Sequence, residues 1–411
     1  KKNKLTIYIF VALFLGIAVG YIINQNASPV FIKSFSANIK LLGTIFIRLV
    51  KSIIAPLVFT TLVVGIAKLG DLKTVGRVGG KAMLWFISAS LISLLLGMVL
   101  VNFFKPGSYI DLSQADTAGL KDLMSKSTSF TLQNFIEHVV PASFFEAMAH
   151  NEILQIVVFS IMFGIAAASL GDYAKPVIKA LDVASHIILK IVNYVMNFAP
   201  LGVFGTLAAV VAEKGLDIFT FYFIYYGYFV LGIALLWVIL TAVGFLLLGG
   251  RMKQLFARIG NPLVIAFSTT SSEAVFPKLT EELERFGCKK QIVSFVLPLG
   301  YSFNLDGSMM YMTFASLAIA QAYGIDLPIS TQLTMLLVLM LTSKGIAGVP
   351  RASLIIVLAT CAMFNIPPEG VALILPIDHF CDMLRSATNV LGNALATSVV
   401  SKWEGELPNE A

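Results

Sequence analysis

The chain has 411 residues, of which 57% are apolar and only 13% charged, and its mean hydropathy is +0.86. Soluble domains carry about 25% charged residues, so this chain has too few charges to cover a water-exposed surface. An ordinary soluble protein is excluded, and lipid is the expected solvent for much of the chain. The net charge of +6 does not require a nucleic-acid partner, because Lys and Arg stand mainly at the ends of apolar runs, where anionic headgroups lie.

Six apolar stretches long enough to cross a bilayer come first in the chain. A transmembrane helix needs about 20 apolar residues, with a range of roughly 17 to 25. The predicted spans are Leu5 to Ile23 and stretches within 38–67, 82–104, 152–170, 189–213 and 222–249. Because KKNK leads directly into the first span without a small-residue cleavage site, we expect a retained helix and not a signal peptide.

The charges of the connecting segments predict the orientation. Residues 68–81 (KLGDLKTVGRVGGK) hold four basic residues and one acid, which the positive-inside rule assigns to the cytoplasm. The N-terminus is therefore also expected in the cytoplasm. The polar stretch from about 105 to 151 carries three Lys against five acids and suits an external loop.

The first stretch after Arg251 is apolar but too short to span. Residues 261–277 (NPLVIAFSTTSSEAVFP) break at a run of hydroxyls from Ser268 to Ser272. Hydroxyls and free backbone amides at the end of a half-helix are good donors to an anion. The run therefore either supplies donors to an anionic solute or forms an ordinary surface loop.

The next predicted helix, from about 291 to 323, contains polar residues in an apolar setting. Asn304, Asp306 and Ser308 surround Gly307 in the segment SFNLDGS. Gly307 would allow local unwinding, which frees backbone carbonyls to act as ligands. A carboxylate together with amide and carbonyl oxygens suits a hard cation. The alternative is a polar kink that only packs helices.

A second interrupted stretch, 329–365, breaks at TSKGIAGVPRAS, and a last helix follows from about 368 to 403. The tip at 345–350 is glycine-rich enough to hinge, so it forms either a gate or a static re-entrant loop. Non-helical backbone at membrane depth needs protein or a water-filled cavity around it. Because both halves place a broken hairpin before a continuous helix, we interpret them as inverted repeats around a binding site.

Charged and amide residues form one stripe along the last helix. Asp382, Arg385, Asn389 and Asn393 recur at steps of three, four and four residues, and Ser386 lies on the flank. Each charge costs at least about 2.5 kcal/mol inside a membrane. Arginine can grip a carboxylate with two parallel hydrogen bonds, and an aspartate can accept from an ammonium group. The stripe therefore favours a solute with both charges, unless the two charged residues only pair with each other.

No catalytic or nucleotide-binding motif accompanies these features. The sequence contains no GxSxG, GxGxxG or Walker A pattern, and no His/Cys/carboxylate cluster with metal-ligand spacing. We therefore expect neither an enzyme nor an ATP-driven pump, and no bound cofactor. An intramembrane hydrolase lacks a histidine in a matching motif to activate a serine. A passive anion channel stays open as an alternative, because its flux would not depend on a cation gradient.

Four motifs in this order and spacing resemble a known family. They are STTSSEAVFP, SFNLDGS, SKGIAGVP and DMLRSATNVLGN, with VMNFAPLGVF in the fifth helix. The chain resembles the dicarboxylate/amino acid:cation symporters, which include bacterial and archaeal glutamate/aspartate transporters. The resemblance implies an all-α membrane protein of eight transmembrane helices plus two re-entrant helical hairpins. It further implies a homotrimer in the plasma (inner) membrane.

The resemblance also implies a division into domains. Residues 1–75 would be scaffold helices one and two, and residues 111–215 an external loop with scaffold helices four and five. Residues 76–110 would be helix three of a transport domain. Residues 216–411 would supply the rest of that domain, with helix six, both hairpins, and helices seven and eight. The transport domain would move as an elevator against the scaffold.

Roles for individual residues follow from the same resemblance. Arg385 would grip the substrate side-chain carboxylate, and Asp382 would hold the amino group. Further substrate contacts would come from Asn389, Ser386, Ser308, Ser272, Ser271 and the second tip, Gly348, Val349 and Pro350. A sodium ion would be held by Asn304, Asp306, Asn389, Asn393 and Ser90.

Three positions depart from the family pattern. Asn393 stands where sodium-coupled relatives have an aspartate, and a gapless match puts Phe86 and Ala89 where oxygen-bearing ligands are expected. These changes favour proton coupling or fewer sodium ions over a three-sodium stoichiometry. Arg351 adds a charge at the second tip, where it either meets a substrate carboxylate or faces water.

The predicted function is symport of an acidic amino acid, glutamate or aspartate, with sodium, protons or both. The alternative substrate is a C4-dicarboxylate such as succinate, fumarate or malate. Asp382 argues against that alternative, because a dianion without an ammonium group would meet an uncompensated carboxylate.

Overall fold

The computed structural model describes residues 2–69, 72–110, 136, 139–216, 218–343 and 352–407, and this part of the chain is helical almost throughout, with no strand. The helices are α1 (Lys2–Asn26), α2 (Pro29–Leu69), α3 (Leu72–Phe104), α4 (Phe144–His150), α5 (Ile153–Ser169), α6 (Lys175–Met196), α7 (Ala199–Lys214), α8 (Ile218–Phe221), α9 (Phe223–Leu248), α10 (Arg251–Thr269), α11 (Phe276–Phe286), α12 (Lys290–Phe303), α13 (Asp306–Ala322), α14 (Ile329–Thr342), α15 (Ala352–Met363) and α16 (Val371–Trp403). The prediction of an all-α protein is confirmed.

Four of the described helices are long and apolar enough to cross a membrane. They cover Ile7–Asn26, Pro29–Ala67, Lys73–Phe104 and Phe223–Leu248, and they coincide with predicted spans. α5 is a shorter apolar helix. α16 is as long as α3 but carries the charged stripe, of which Arg385, Asn389 and Asn393 are buried inside the protein. Protein and not lipid therefore surrounds its polar side chains.

The span predicted at 189–213 is not one straight helix. α6 and α7 are bent by 48° across Asn197 and Phe198, so the pair counts as at most one further span. The cause is Pro200, the second residue of α7. Proline has no N–H to continue the helical hydrogen bonds, and its ring clashes with the preceding turn. VMNFAPLGVF therefore crosses a bend and does not lie within a single helix.

The continuous helix predicted at 291–323 is also divided. α12 ends at Phe303, and α13 begins at Asp306 after two non-helical residues, Asn304 (φ −127°, ψ 66°) and Leu305 (φ −103°, ψ 65°). The unwinding expected at Gly307 thus lies just before it. Gly307 itself belongs to the first turn of α13, where an added Cβ would come within 2.6 Å of the Arg385 carbonyl oxygen. Its missing side chain allows α13 to touch α16.

The first predicted hairpin is present, with its break at the hydroxyl run. α10 ends at Thr269, and Thr270 adopts a left-handed conformation (φ 52°). A short 3-10 turn then leads into α11, whose second residue is Pro277. In the second interrupted stretch, α14 and α15 flank a tip that lies outside the described residues, including Gly348, Val349, Pro350 and Arg351.

The helices pack in two groups. α1, α2, α5, α6 and α7 contact one another, and α3 packs with α9 to α16 around the central α16. The seam between the groups is formed mainly by α12 against α2, with smaller contacts from the first hairpin. Lys290 crosses this seam, with its Nζ 3.1 Å from Asp182 Oδ1 and 3.1 Å from Ser185 Oγ on α6. All the predicted site residues described below lie in the second group.

Candidate functional site

The guanidinium of Arg385 lies at the centre of the site. The side chain is 1% exposed, and its Nη2 lies 3.1 Å from Asp378 Oδ1 and 2.9 Å from Asp382 Oδ1. The guanidinium carbon sits 3.9 Å from the centre of the Tyr311 ring on α13. Within the described part of the chain, Nε and Nη1 have no hydrogen-bond acceptor. Arginine has five N–H donors, so this side chain can still bind a further anion.

Asp378 and Tyr311 contact Arg385 in the charged cluster, and the sequence reasoning missed both of them. Asp378 is 1% exposed and accepts a hydrogen bond of 2.8 Å from the Tyr311 hydroxyl. Asp378 precedes Asp382 by four residues, so the stripe on α16 could have been extended by one turn. Nothing in the sequence pattern places Tyr311 beside it, because that contact joins two helices.

The two carboxylates differ in exposure. The side chain of Asp382 is 27% exposed, whereas those of Asp378 and Arg385 are 1% exposed. Asp382 therefore forms the open side of the charged cluster. The pairing of Arg385 with Asp382 was one of the predicted alternatives, and the structure shows it together with unpaired guanidinium donors. Ser386, which follows Arg385 on α16, is 4% exposed.

Asn389 ties α16 to the start of α13. Its Oδ1 accepts hydrogen bonds from the backbone N–H groups of Gly307 (2.9 Å) and Ser308 (3.2 Å). Its Nδ2 donates to Ser308 Oγ at 3.0 Å. Ser308 and Asn389, both predicted as substrate contacts, are thus in direct contact one turn along α16 from Arg385.

A second polar cluster, the amide cluster, surrounds the break between α12 and α13. Asn304 Nδ2 donates to Asp306 Oδ2 (3.1 Å) and to Asn393 Oδ1 (3.4 Å), and all three residues are at most 1% exposed. A Cβ at Gly392 would collide with Asp306 Oδ2, so the carboxylate lies directly against the backbone of α16. Asn304 Oδ1 has no partner within the described residues. One carboxylate among neutral oxygens fits a monovalent cation better than a transition metal.

Helix α3 closes the amide cluster with one hydroxyl and two apolar side chains. Ser90 Oγ donates to the carbonyl oxygen of Phe303, the last residue of α12, at 3.3 Å. Phe86 and Ala89 are 1% and 5% exposed. The Phe86 ring and Asn393 Oδ1 both face the Cα of Gly300. Aromatic carbon therefore lies near Asn393 Oδ1, at a position where a further oxygen could have joined the cluster.

The tip of the first hairpin is held by α12 and by its own backbone. Tyr301 donates its hydroxyl to the Ser272 carbonyl oxygen at 3.0 Å, and Ser271 Oγ accepts from the Ala274 N–H at 3.2 Å. In the described part of the chain, neither serine hydrogen-bonds to the charged cluster around Arg385. The described hydrogen bonds thus link residues of α13 and α16, and none of them links the two serines of the first tip to Arg385.

Comparison with known sequences decides the family. The profile of the family described as "Sodium:dicarboxylate symporter family" matches residues 5–403. The chain belongs to the sodium:dicarboxylate symporter family. The predicted resemblance is therefore confirmed, and this symporter is a transporter and not an enzyme.

Several relatives of the symporter carry one of two names. It is 39% identical over 417 residues to the "Proton/sodium-glutamate symport protein" of Geobacillus stearothermophilus, covering 100% of this chain and 97% of the relative. A protein of the same name from Bacillus subtilis is 37% identical, covering 98% and 94%. The "C4-dicarboxylate transport protein" of Rhodospirillum rubrum is 40% identical, covering 99% and 90%. The overall identities do not separate the two names.

Proposed function

We propose that this chain is a secondary active symporter for an acidic amino acid, glutamate or aspartate. The observation that carries the proposal is the pairing of a buried arginine that has unused donors with a half-buried aspartate beside it. Arg385 offers N–H groups to a carboxylate, and Asp382 offers oxygens to an ammonium group. Asn389, Ser308 and Ser386 supply amide and hydroxyl groups on the same side of the site.

The second candidate substrate is a C4-dicarboxylate. A relative with that name is 40% identical over nearly the whole chain, which gives this candidate specific support. The charges favour the amino acid, however. Asp378 and Asp382 already place two carboxylates around Arg385, and a dianion would add two more without an ammonium group.

For the coupling ion, we propose a single cation at the amide cluster together with a proton. Asp306, Asn304 and Asn393 would hold a sodium ion, with Asn389 and Ser90 nearby. Further sodium ions would find fewer oxygen donors, because Phe86 and Ala89 carry none in their side chains. They would also find less negative charge, because Asn393 is neutral. This proposal agrees with relatives whose names contain both proton and sodium.

The proposed architecture has eight transmembrane helices and two re-entrant hairpins, in a homotrimer of the plasma membrane with the N-terminus in the cytoplasm. The second group of helices would be the transport domain, made of residues 76–110 and 216–411, and it would move as an elevator. The separate packing of the two groups across the α2–α12 seam supports this division. Substrate binding and gate closure would precede movement.

Uptake into proteoliposomes tests the function. Labelled aspartate and labelled succinate would each be offered with an imposed sodium gradient, an imposed proton gradient, or neither. We expect concentrative aspartate uptake with either or both gradients, and little succinate uptake. If succinate alone is concentrated, the dicarboxylate candidate replaces the amino acid. Flux that follows no cation gradient would identify a channel.

A further inference from the structure

The charged cluster has one positive charge against two negative ones. Among the described residues, Arg385 is the basic side chain that pairs with Asp378. The other titratable groups around Asp378 are Asp382 and Cys381 on α16, Tyr311 on α13 and Tyr225 on α9. The hydroxyls and the thiol are neutral, so the described residues of the cluster carry a net charge of −1 before any substrate enters.

Binding of a substrate carboxylate adds to the negative charge of the cluster. A carboxylate that joins Arg385 becomes the third carboxylate around one guanidinium. Like charges that share a buried site cannot all stay ionised, because the low local dielectric leaves their repulsion unscreened. A substrate ammonium can compensate Asp382, which is 27% exposed and open to the solute. No such partner reaches Asp378, which is 1% exposed and faces α13.

We propose that Asp378 binds the co-transported proton, taking it up when a substrate carboxylate reaches Arg385. The inference rests on the proposed function and adds a specific proton site to it. The chemistry is a single step: the Asp378 carboxylate and a proton from the surrounding water become a carboxylic acid. When the substrate leaves on the other side, Arg385 returns to Asp378, and the proton is released there.

The surroundings of Asp378 suit both charge states. In the charged state, its Oδ1 accepts from the Tyr311 hydroxyl at 2.8 Å and pairs with Arg385 at 3.1 Å. In the neutral state, the Tyr311 bond can persist, while the new O–H needs an acceptor. The buried hydroxyl of Tyr225 belongs to the same cluster and interacts with Tyr311 and Asp378. It can accept that O–H.

Proton uptake on binding provides the test. Purified protein in weakly buffered solution at constant sodium would receive unlabelled aspartate, with a pH-sensitive dye reporting protons and calorimetry reporting binding. We expect nearly one proton taken up per aspartate bound. Asp378→Asn, which keeps the shape and an acceptor oxygen, should take up no proton for each aspartate that it binds. Asp172→Asn, the same change at an exposed position just before α6, should behave like the unaltered protein.

A second variant keeps the proposal testable if Asp378→Asn does not fold. Tyr311→Phe keeps the ring over Arg385 but removes the hydroxyl that stabilises the charged carboxylate. Proton uptake should then persist to a higher pH than in the unaltered protein. An unchanged pH profile in Tyr311→Phe contradicts the proposal.

The remaining outcomes separate the proton site from the function. Aspartate binding without proton uptake in the unaltered protein overturns the proton site but leaves the symporter intact. Uptake that persists in Asp378→Asn places the proton elsewhere and also overturns it. If neither aspartate nor succinate binds the unaltered protein, the proposed function itself fails, and the proton site fails with it.

Discussion

Two polar clusters lie on the same helix, and they differ in charge and in exposure. The charged cluster holds Asp378, Asp382 and Arg385, and one of its carboxylates is 27% exposed. The amide cluster holds Asn304, Asp306 and Asn393, all at most 1% exposed. The first has a guanidinium with unused donors, and the second has one carboxylate among neutral dipoles. The first is therefore suited to an anion and the second to a cation.

The contacts between the clusters show how they can act together. Arg385 and Asn393 are eight residues apart, which is roughly 12 Å along a helix. Between them, Asn389 hydrogen-bonds to Gly307 and Ser308 at the start of α13. The first residue of α13, Asp306, belongs to the amide cluster. A ligand at either cluster can thus change the other through α13, which is the physical requirement for coupled binding.

The largest expected effect is on Arg385. Arg385→Ala removes the donors for the substrate carboxylate, and charge-assisted hydrogen bonds are worth about 1.5–3 kcal/mol each. Labelled aspartate uptake should fall by about 100-fold or more. Arg258→Ala changes a 41%-exposed arginine on α10 and should leave uptake nearly unchanged. Normal uptake in Arg385→Ala would show that the charged cluster is not the substrate site.

Asp382→Ser should change which anion is transported. The hydroxyl cannot compensate an ammonium group but no longer repels a second carboxylate, so the ratio of succinate to aspartate uptake should rise by about tenfold or more. Competition of each unlabelled solute against labelled aspartate measures the ratio. Asp326→Ser, at an exposed position between α13 and α14, is the matched control. An unchanged ratio would remove the ammonium role from Asp382.

Asn393→Asp sharpens the contrast by giving the amide cluster a second carboxylate. Because cation affinity rises with the charge of the ligands, the sodium concentration for half-maximal uptake should fall by about tenfold. Asn26→Asp, at the exposed end of α1, serves as the control. If sodium dependence stays the same in Asn393→Asp, the cation is bound elsewhere.

Gly392→Ala tests the packing of the amide cluster. A methyl group there would collide with Asp306 Oδ2, and overpacking typically costs about 1–3 kcal/mol. We expect the melting temperature of the purified protein to drop by several degrees, with weaker sodium dependence. Gly76→Ala is the control, because an added Cβ meets nothing within 4 Å and alanine favours a helix. A stable Gly392→Ala protein would mean that α13 and α16 can separate at this point.

The smallest expected effect lies at an ion pair whose basic partners are solvent-exposed, and this pair serves as a baseline for the fully buried charges. Glu404, just beyond α16, accepts hydrogen bonds from Arg77 and pairs with Lys81 at 2.7 Å. The hydrogen bond from Arg77 holds the pKa of Glu404 below its ordinary value of 4.5. The pair therefore stabilises the fold above pH 4.5, and its contribution is lost as the pH falls through the lowered pKa.

Thermal unfolding of Glu404→Gln measures this baseline. At neutral pH the variant should be less stable by about 1 kcal/mol or less, as is usual for surface ion pairs. The difference from the unaltered protein should shrink as the pH falls below 4.5. A difference that grows in acid would show that Glu404 does not act through its charge.

Much of the site could be predicted because it follows helical periodicity. The stripe of Asp382, Arg385, Asn389 and Asn393 needed only the sequence of α16. Membrane spans and hairpin breaks likewise follow from local composition. The Pro200 bend carried a local signal too, since proline marks the start of a new helix.

The rest depends on contacts between helices, which local patterns do not contain. Tyr311 stacks on Arg385 only because α13 begins beside α16, and that start is set by the break at Asn304 and Leu305. Gly307 looked like a point of unwinding, whereas its function is to let two backbones meet. Glycine permits both, so its residue type alone could not decide between them.

The bare backbone at Gly392 also constrains how such a protein can evolve. Because Asp306 rests on it, the distance between α13 and α16 is fixed at this point, and any larger residue moves the carboxylate. Exchange of donors such as Asn393, or of their neighbours such as Phe86, leaves that distance unchanged. Single substitutions around this contact can therefore change the polar groups of the amide cluster without rebuilding the way in which the two helices meet.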